Sequence, residues 1–276
     1  MKPHINITKL KNMSNFRLFL SLIVIATFLS CNSKNKIEVD DIEYDKSDST
    51  IVIYYEQGYS DGTGGIAEAK SFEDILKLSQ EGDMRAQFSL GCCFLFGKHV
   101  KQSYESAYKW FKISAEQGFA MAQHELGFLY YNGSGVEQSF TEAVKWYRKS
   151  AEQGYSYGEH CLGVCYERGE GLEQSYEDAV HWYLQAANHG LEVSMINLAL
   201  LSEAGKGVKQ DFETAFNIFL DLARKGNSQA QRYLADYFRQ GILVERDLAE
   251  AVKWYRKAAE QGDEEAIYWL KELGIE

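Results

Sequence analysis

The sequence predicts an all-α solenoid of antiparallel helix pairs with a 36-residue repeat. Three observations predict it. Gly82, Gly118, Gly154, Gly190, Gly226 and Gly262 fall 36 residues apart, and so do Gly97, Gly133, Gly169, Gly205 and Gly241. Other residue types keep the same period: Trp110, Trp146, Trp182 and Trp254; Ala107, Ala143, Ala179, Ala215 and Ala251; Leu90, Leu126, Leu162, Leu198, Leu234 and Leu270. The single proline, Pro3, lies far from the repeats, so they are free of the strongest helix breaker. A period of this length marks a stack of small units, each too small to bury its own apolar face.

The N-terminus is a different text. Residues 1–31 carry Lys2, Lys9, Lys11 and Arg17 but no acid, then the apolar run "LFLSLIVIATFL" (18–29), then Ser30 and Cys31. A basic start, an apolar run of this length and a small residue at the cut describe an export signal. The run falls short of the ~20 residues of a spanning helix; an uncleaved anchor helix is the alternative. The stretch resembles a bacterial lipoprotein signal, with Phe28 where Leu is usual and Met13 as a second possible start. The resemblance implies lipidation at Cys31 and an exported body anchored in the bacterial envelope through its N-terminal lipid.

Net charge is −11. Removing residues 1–31 leaves 25 basic against 40 acidic side chains, or −15. That argues against a general nucleic-acid binder, which would show a basic face, and against a body lying flat on an anionic membrane.

Residues 32–66 read as a polar linker. Within it "IVIYYEQGYSDGTGG" (51–65) reads as a strand, a Gly loop and then a helix. It lacks the Lys-Ser/Thr of a phosphate loop, and the acidic run 38–48 lacks the central Gly of a calcium loop. The solenoid takes 67–276: a partial unit 67–82, full units 83–118, 119–154, 155–190, 191–226 and 227–262, and a terminal helix 263–276. In 119–154, Ala122, Leu126, Leu129 and Tyr130 recur at helical spacing. Two glycines in "NGSGVEQ" (132–138) break the pattern. Ala143, Trp146, Tyr147 and Ala151 mark a second helix, which Gly154 closes where a left-handed cap favours Gly.

The strings "AQHELGFLYYNGSGV" (122–136), "AVKW" (143–146) and "AEQG" (151–154) resemble the Sel-one-like repeat family, a 36-residue relative of the tetratricopeptide repeat. Unit four departs from the pattern with Ile218 for Trp and Ala199 for Gly, and unit five with Leu243 for the second loop Gly. The resemblance implies a right-handed superhelix whose first helices line a concave groove. It also implies a non-enzymatic adaptor that holds a peptide or protein segment in that groove.

No catalytic, cofactor or metal set stands out. Cys93 and Cys165 share a column with Leu129, Leu201 and Tyr237, a core slot, and Cys161 and Cys165 sit four apart on one helix, a poor disulfide geometry. "SAYK" (106–109) matches a Ser-x-x-Lys motif whose partner motifs are absent. His124 and His160 share a column without a third ligand. By resemblance, the groove columns include Arg85, Phe88, Met121, His124, Phe128, Tyr131, Tyr157, His160, Glu167, Ile196, Arg232 and Asp236. These vary from unit to unit while the packing columns do not, which a partner-reading groove would explain. The alternatives are an envelope enzyme or binder of cell-wall or β-lactam-like ligands, and an immunity lipoprotein that caps a delivered toxin.

Overall fold

The computed structural model describes residues 42–44, 52–55 and 66–275; the export signal, Cys31 and the rest of the linker lie outside the described residues. Two strands, β1 (Val52–Tyr55) and β2 (Ile66–Lys70), pair antiparallel, with Val52 opposite Lys70. Helices follow to the end: α1 (Phe72–Gln80), α2 (Met84–Phe96), α3 (Tyr104–Glu116), α4 (Ala120–Asn132), α5 (Phe140–Ala151), α6 (Ser156–Arg168), α7 (Tyr176–Asn188), α8 (Glu192–Ala204), α9 (Phe212–Lys225), α10 (Ser228–Gln240), α11 (Leu248–Ala259) and α12 (Glu264–Glu272). Each packs on the next in sequence, as a solenoid requires. The strand read near residue 51 is present. The helix expected straight after the Gly loop is instead β2, and helix begins only at Phe72. The apolar–polar alternation of "IAEAK" explains this: it has the two-residue period of a strand.

The even-numbered helices from α2 are the first of each pair. Those of the five full units each end on a left-handed glycine, as at Gly133 (φ 69°). The second helices α3, α5 and α7 start on a serine whose hydroxyl caps them; Ser139 Oγ accepts the Glu142 amide at 3.3 Å. In α9 and α11 an aspartate takes that place. The first helix α4 also touches the first helix α6 of the next unit, while no pair of second helices among the described residues makes a contact of that extent. The first helices therefore lie on the inner side of the stack.

The core runs along the pair interfaces. The tryptophan column is not what fills the interior. Only Trp110 is buried; Trp146, Trp182 and Trp254 are half-exposed. The neighbouring ring fills the interior instead: Phe111, Tyr147, Tyr183, Phe219 and Tyr255 are at most 2% exposed. The glycine column makes room for it. A Cβ on Gly127 would stand 2.7 Å from the Tyr147 ring, so Gly is what lets α4 and α5 close on each other.

Candidate ligand-binding face

The structure divides the expected groove residues into three groups. The first is a joint between units. Phe88 is 3% exposed and packs its ring on Phe111 and Phe119, at 5.5 and 5.3 Å between centroids. Ile196 is 2% exposed, within the core of units four and five. Arg232 is 7% exposed and reaches forward to α12, with Nε 3.4 Å from Asp263 and Nη1 2.7 Å from Glu265. His160 Nδ1 lies 2.9 Å from Ser194 Oγ on α8, and the His124 ring packs against Tyr155 and Tyr157 of unit three. All five stand in one column, one turn into the first helix. There the side chain meets the beginning of the next unit's first helix rather than the open face. Phe88 and Ile196 are thus corrected from groove to core, and Arg232 from groove to an ion pair inside the stack.

The second group is held in polar contacts on the inner surface. Tyr131 donates to Glu170 at 2.5 Å and accepts from Arg168 at 3.1 Å. Glu167 accepts from Tyr183 at 2.7 Å. Asp236 accepts from Tyr255 at 2.6 Å and from Arg239 at 2.8 Å. Arg85 bends back onto the cap residue Asp83 at 3.2 Å.

The third group is open. Phe128 and Tyr157 are 45% and 42% exposed on neighbouring first helices, with the half-buried Met121 on the same helix as Phe128. They are open apolar and aromatic side chains on two first helices, α4 and α6, that touch each other.

Further along lies a cleft of about 400 Å³, lined by Leu200, Glu203, Phe212, Tyr233, Asp236, Tyr237 and Ile242 among others. Burial and the nearby Asp236 raise the Glu203 pKa, against the lowering effect of the Tyr237 hydroxyl. The position of the cleft has a local cause. In earlier units the second loop glycine sits on the start of the preceding second helix; a Cβ on Gly207 would fall 2.3 Å from the Tyr176 carbonyl. Unit five has Leu243 there, still left-handed (φ 64°), and its Cβ forbids that approach. With Leu243 in that place the loop cannot repeat the glycine's close approach to the start of α9, where Phe212 lines the cleft. Sequence reading noted Leu243 but missed Phe212, Tyr233, Tyr237 and Ile242, which surround its effect.

Ser106 Oγ lies 3.0 Å from the capping Ser103 Oγ, and Lys109 pairs with Glu105 at 3.3 Å, so both belong to the first turns of α3. Among the described residues no group of three or more His, Cys, Asp or Glu is placed to hold a metal.

A stack of helix pairs with an inner face of this kind defines a helical repeat solenoid. A family model for the Sel1 repeat matches residues 85–119, 120–155, 157–191, 193–227 and 228–263, and the chain belongs to that family. It is similar to a Sel1 repeat protein from Oxalobacter formigenes, 36% identical over 72% of this chain and 81% of that one, TM-score 0.67. It is also similar to c5321, a protective antigen of uropathogenic Escherichia coli strains, 30% identical over 73% of this chain and 51% of that one, TM-score 0.47. A third likeness is to the immunity protein Pa5087 from Pseudomonas aeruginosa, 20% identical over 68% and 69%, TM-score 0.46. No curated protein matches the chain.

Proposed function

We propose that this protein is a non-enzymatic interaction scaffold, tethered to the bacterial envelope through a lipid at Cys31, that binds a peptide or protein segment along its inner face. The observation that supports the reading is the exposure of Phe128 and Tyr157. Two large aromatic side chains stand open on adjacent first helices, in a fold whose other inner residues are mostly buried or paired. Aromatic side chains of this kind anchor apolar groups of a partner. The cleft between α8 and α10, with Glu203 and Asp236, gives the bound segment a direction.

The test is a pull-down from native envelope with wild type and Phe128→Ala/Tyr157→Ala. Both substitutions are at exposed sites, so the variant keeps its helical circular dichroism and its melting temperature to within a few degrees. Capture of a single protein by wild type, lost with the folded variant, supports the scaffold. The same partners with both would remove this face from consideration. The tether is read separately: wild type partitions with the membrane fraction, and Cys31→Ser releases it. If the substitution leaves the protein in the membrane, the lipid anchor is wrong.

A further inference from the structure

We propose that Cys161 is an activated thiol, set up by His124 and Glu125, and that the reagents it takes are hydroperoxides. The three side chains come from two units. Cys161 Sγ, on α6, lies 3.6 Å from His124 Nε2, on α4. The other ring nitrogen, Nδ1, lies 3.1 Å from Glu125 Oε1. One nitrogen thus serves the sulfur and the other is fixed by a carboxylate, the relation of nucleophile, base and orienting group. Tyr147, Tyr155 and Tyr157 hold the imidazole, with ring centroids 5.8, 5.6 and 6.1 Å away. Cys161 is half-buried, one turn after the exposed Tyr157.

The other described cysteines supply a contrast within the same chain. Cys93 and Cys165 are buried, and burial pushes both thiols up to about 12. Cys92 is also raised well above the ordinary thiol range, by burial first and then by the Glu125 charge. Among the four, the structure places an imidazole at the sulfur of Cys161 alone. Burial pulls the His124 pKa down, but its hydrogen bonds to Cys161 and Glu125, and their charges, outweigh this and raise it to about 10. The groups that face the pair are Glu125 on α4, Tyr147 on α5, and His160 and Cys165 on α6, with Cys92 on α2 facing Glu125.

The His124 imidazole stands where a base can take the thiol proton, and the thiolate is the reactive form of a cysteine. The thiolate attacks a peroxide oxygen. An S–O bond forms, the O–O bond breaks, and the sulfur is oxidised to sulfenic acid as the peroxide is reduced. The leaving hydroxide or alkoxide takes the His124 proton and departs as water or an alcohol.

The experiment treats the full chain with hydrogen peroxide in the presence of dimedone and maps each cysteine by mass spectrometry. A second readout is the rate of iodoacetamide alkylation at Cys161 at pH 7 in wild type, His124→Asn and Glu125→Gln, each checked by circular dichroism. Cys161 is expected to label at least tenfold faster than Cys92, Cys93 and Cys165. His124→Asn slows it at least tenfold. Glu125→Gln, which keeps the shape of the site, slows it by less, and decides the matter if His124→Asn does not fold. Labelling of Cys161 no faster than Cys92, or a rate unchanged in the folded variants, overturns the proposal.

Discussion

Gln153 Nε2 donates to Gln123 Oε1 at 2.7 Å, thirty residues back, and Gln123 Nε2 in turn donates to the Ala115 carbonyl of the preceding unit at 3.2 Å. The same chain of bonds joins Gln117, Gln87 and Ser79, and again Gln261, Gln231 and Ala223. In units one, two and five the end of the second helix is thereby tied to the start of its own first helix and to the helix before it. This gives the recurring "AEQG" string a structural role that apolar periodicity does not reveal.

Units three and four break the chain, unit four with Met195 and Lys225. In unit three the substitutes are charged. Glu159 and His189 stand in place of the two glutamines, 2.8 Å apart, with Glu159 only 2% exposed. A carboxylate has no hydrogen to pass on to a carbonyl, and burial raises its pKa despite His189 and the more distant His181. A raised carboxylate pKa means stability that is present below the unfolded value of ~4.3 and is lost as pH rises through the folded one. The double variant Glu159→Gln/His189→Gln restores the ladder. Its melting temperature is expected to exceed that of wild type at pH 7, by a margin that shrinks toward pH 4. A margin independent of pH would show that Glu159 does not carry a buried charge.

His160 predicts the opposite slope. Burial, with the charge of His124 nearby, lowers its pKa to about 4, and it faces Ser194 on α8 and the Tyr183 ring on α7. The unfolded chain binds a proton near ~6.5 that the folded one refuses. Stability from this group is present above that value and is lost as pH falls toward 4, on the order of 2–3 kcal/mol. His160→Gln should remove that loss. The difference in melting temperature between variant and wild type, read from pH 7 to pH 4, should therefore grow in favour of the variant. A constant difference would contradict the neutral, buried imidazole.

Leu243 predicts a stabilising substitution. It is held left-handed at φ 64° and is 54% exposed, so its side chain contributes little burial while its backbone is strained. Relief of a left-handed non-glycine residue amounts to roughly 1–2 kcal/mol. Leu243→Gly, the residue of the three preceding units, should raise the chemical-denaturation midpoint without changing the slope. It should also let the loop close on Phe212, shrinking the cleft. A lower midpoint would mean that the left-handed turn is not where the strain lies.

The fold was legible because packing repeats. The Gly, Ala and Leu columns mark what every unit needs alike, and the helix pairs fall where those columns place them. The face was less legible, and the column of Phe88, His124, His160, Ile196 and Arg232 shows why. Its variation looked like a surface reading a partner. In the structure, Phe88, His124, His160 and Arg232 are matched to neighbours that vary with them: Phe119, Tyr155, Ser194 and Asp263. Pairwise matching across a joint changes from unit to unit just as ligand specificity does, and one sequence read column by column does not separate the two. The N-cap column supplies three of those four neighbours, Phe119, Tyr155 and Asp263.

That matching makes Arg232 the hinge of the last prediction. Its guanidinium lies 4.1 Å over the Tyr233 ring and links α10 to the cap residue Asp263 and to Glu265 at the start of α12. Asp263 also accepts the Ala266 amide at 2.8 Å, so the same carboxylate begins α12 and holds it to the stack. The pair differs from the exposed surface pairs, which contribute little: the Arg232 side chain is only 9% exposed, although Glu265 is 69% exposed. Arg232→Ala leaves the half-buried Asp263 without its cation, and the loss of an ion pair buried on one side is expected to cost about 2 kcal/mol, more than an exposed pair. The loss should be local. Amide exchange in α12 is expected to accelerate by one to two orders of magnitude while α4 to α7 stay protected, because solenoid units contact only their neighbours. Arg232→Lys, which keeps the charge but not the fork, should recover part of the protection. Equal exchange rates in α12 for wild type and Arg232→Ala would show that apolar packing of Ala266 and Leu270 alone holds the final helix in place.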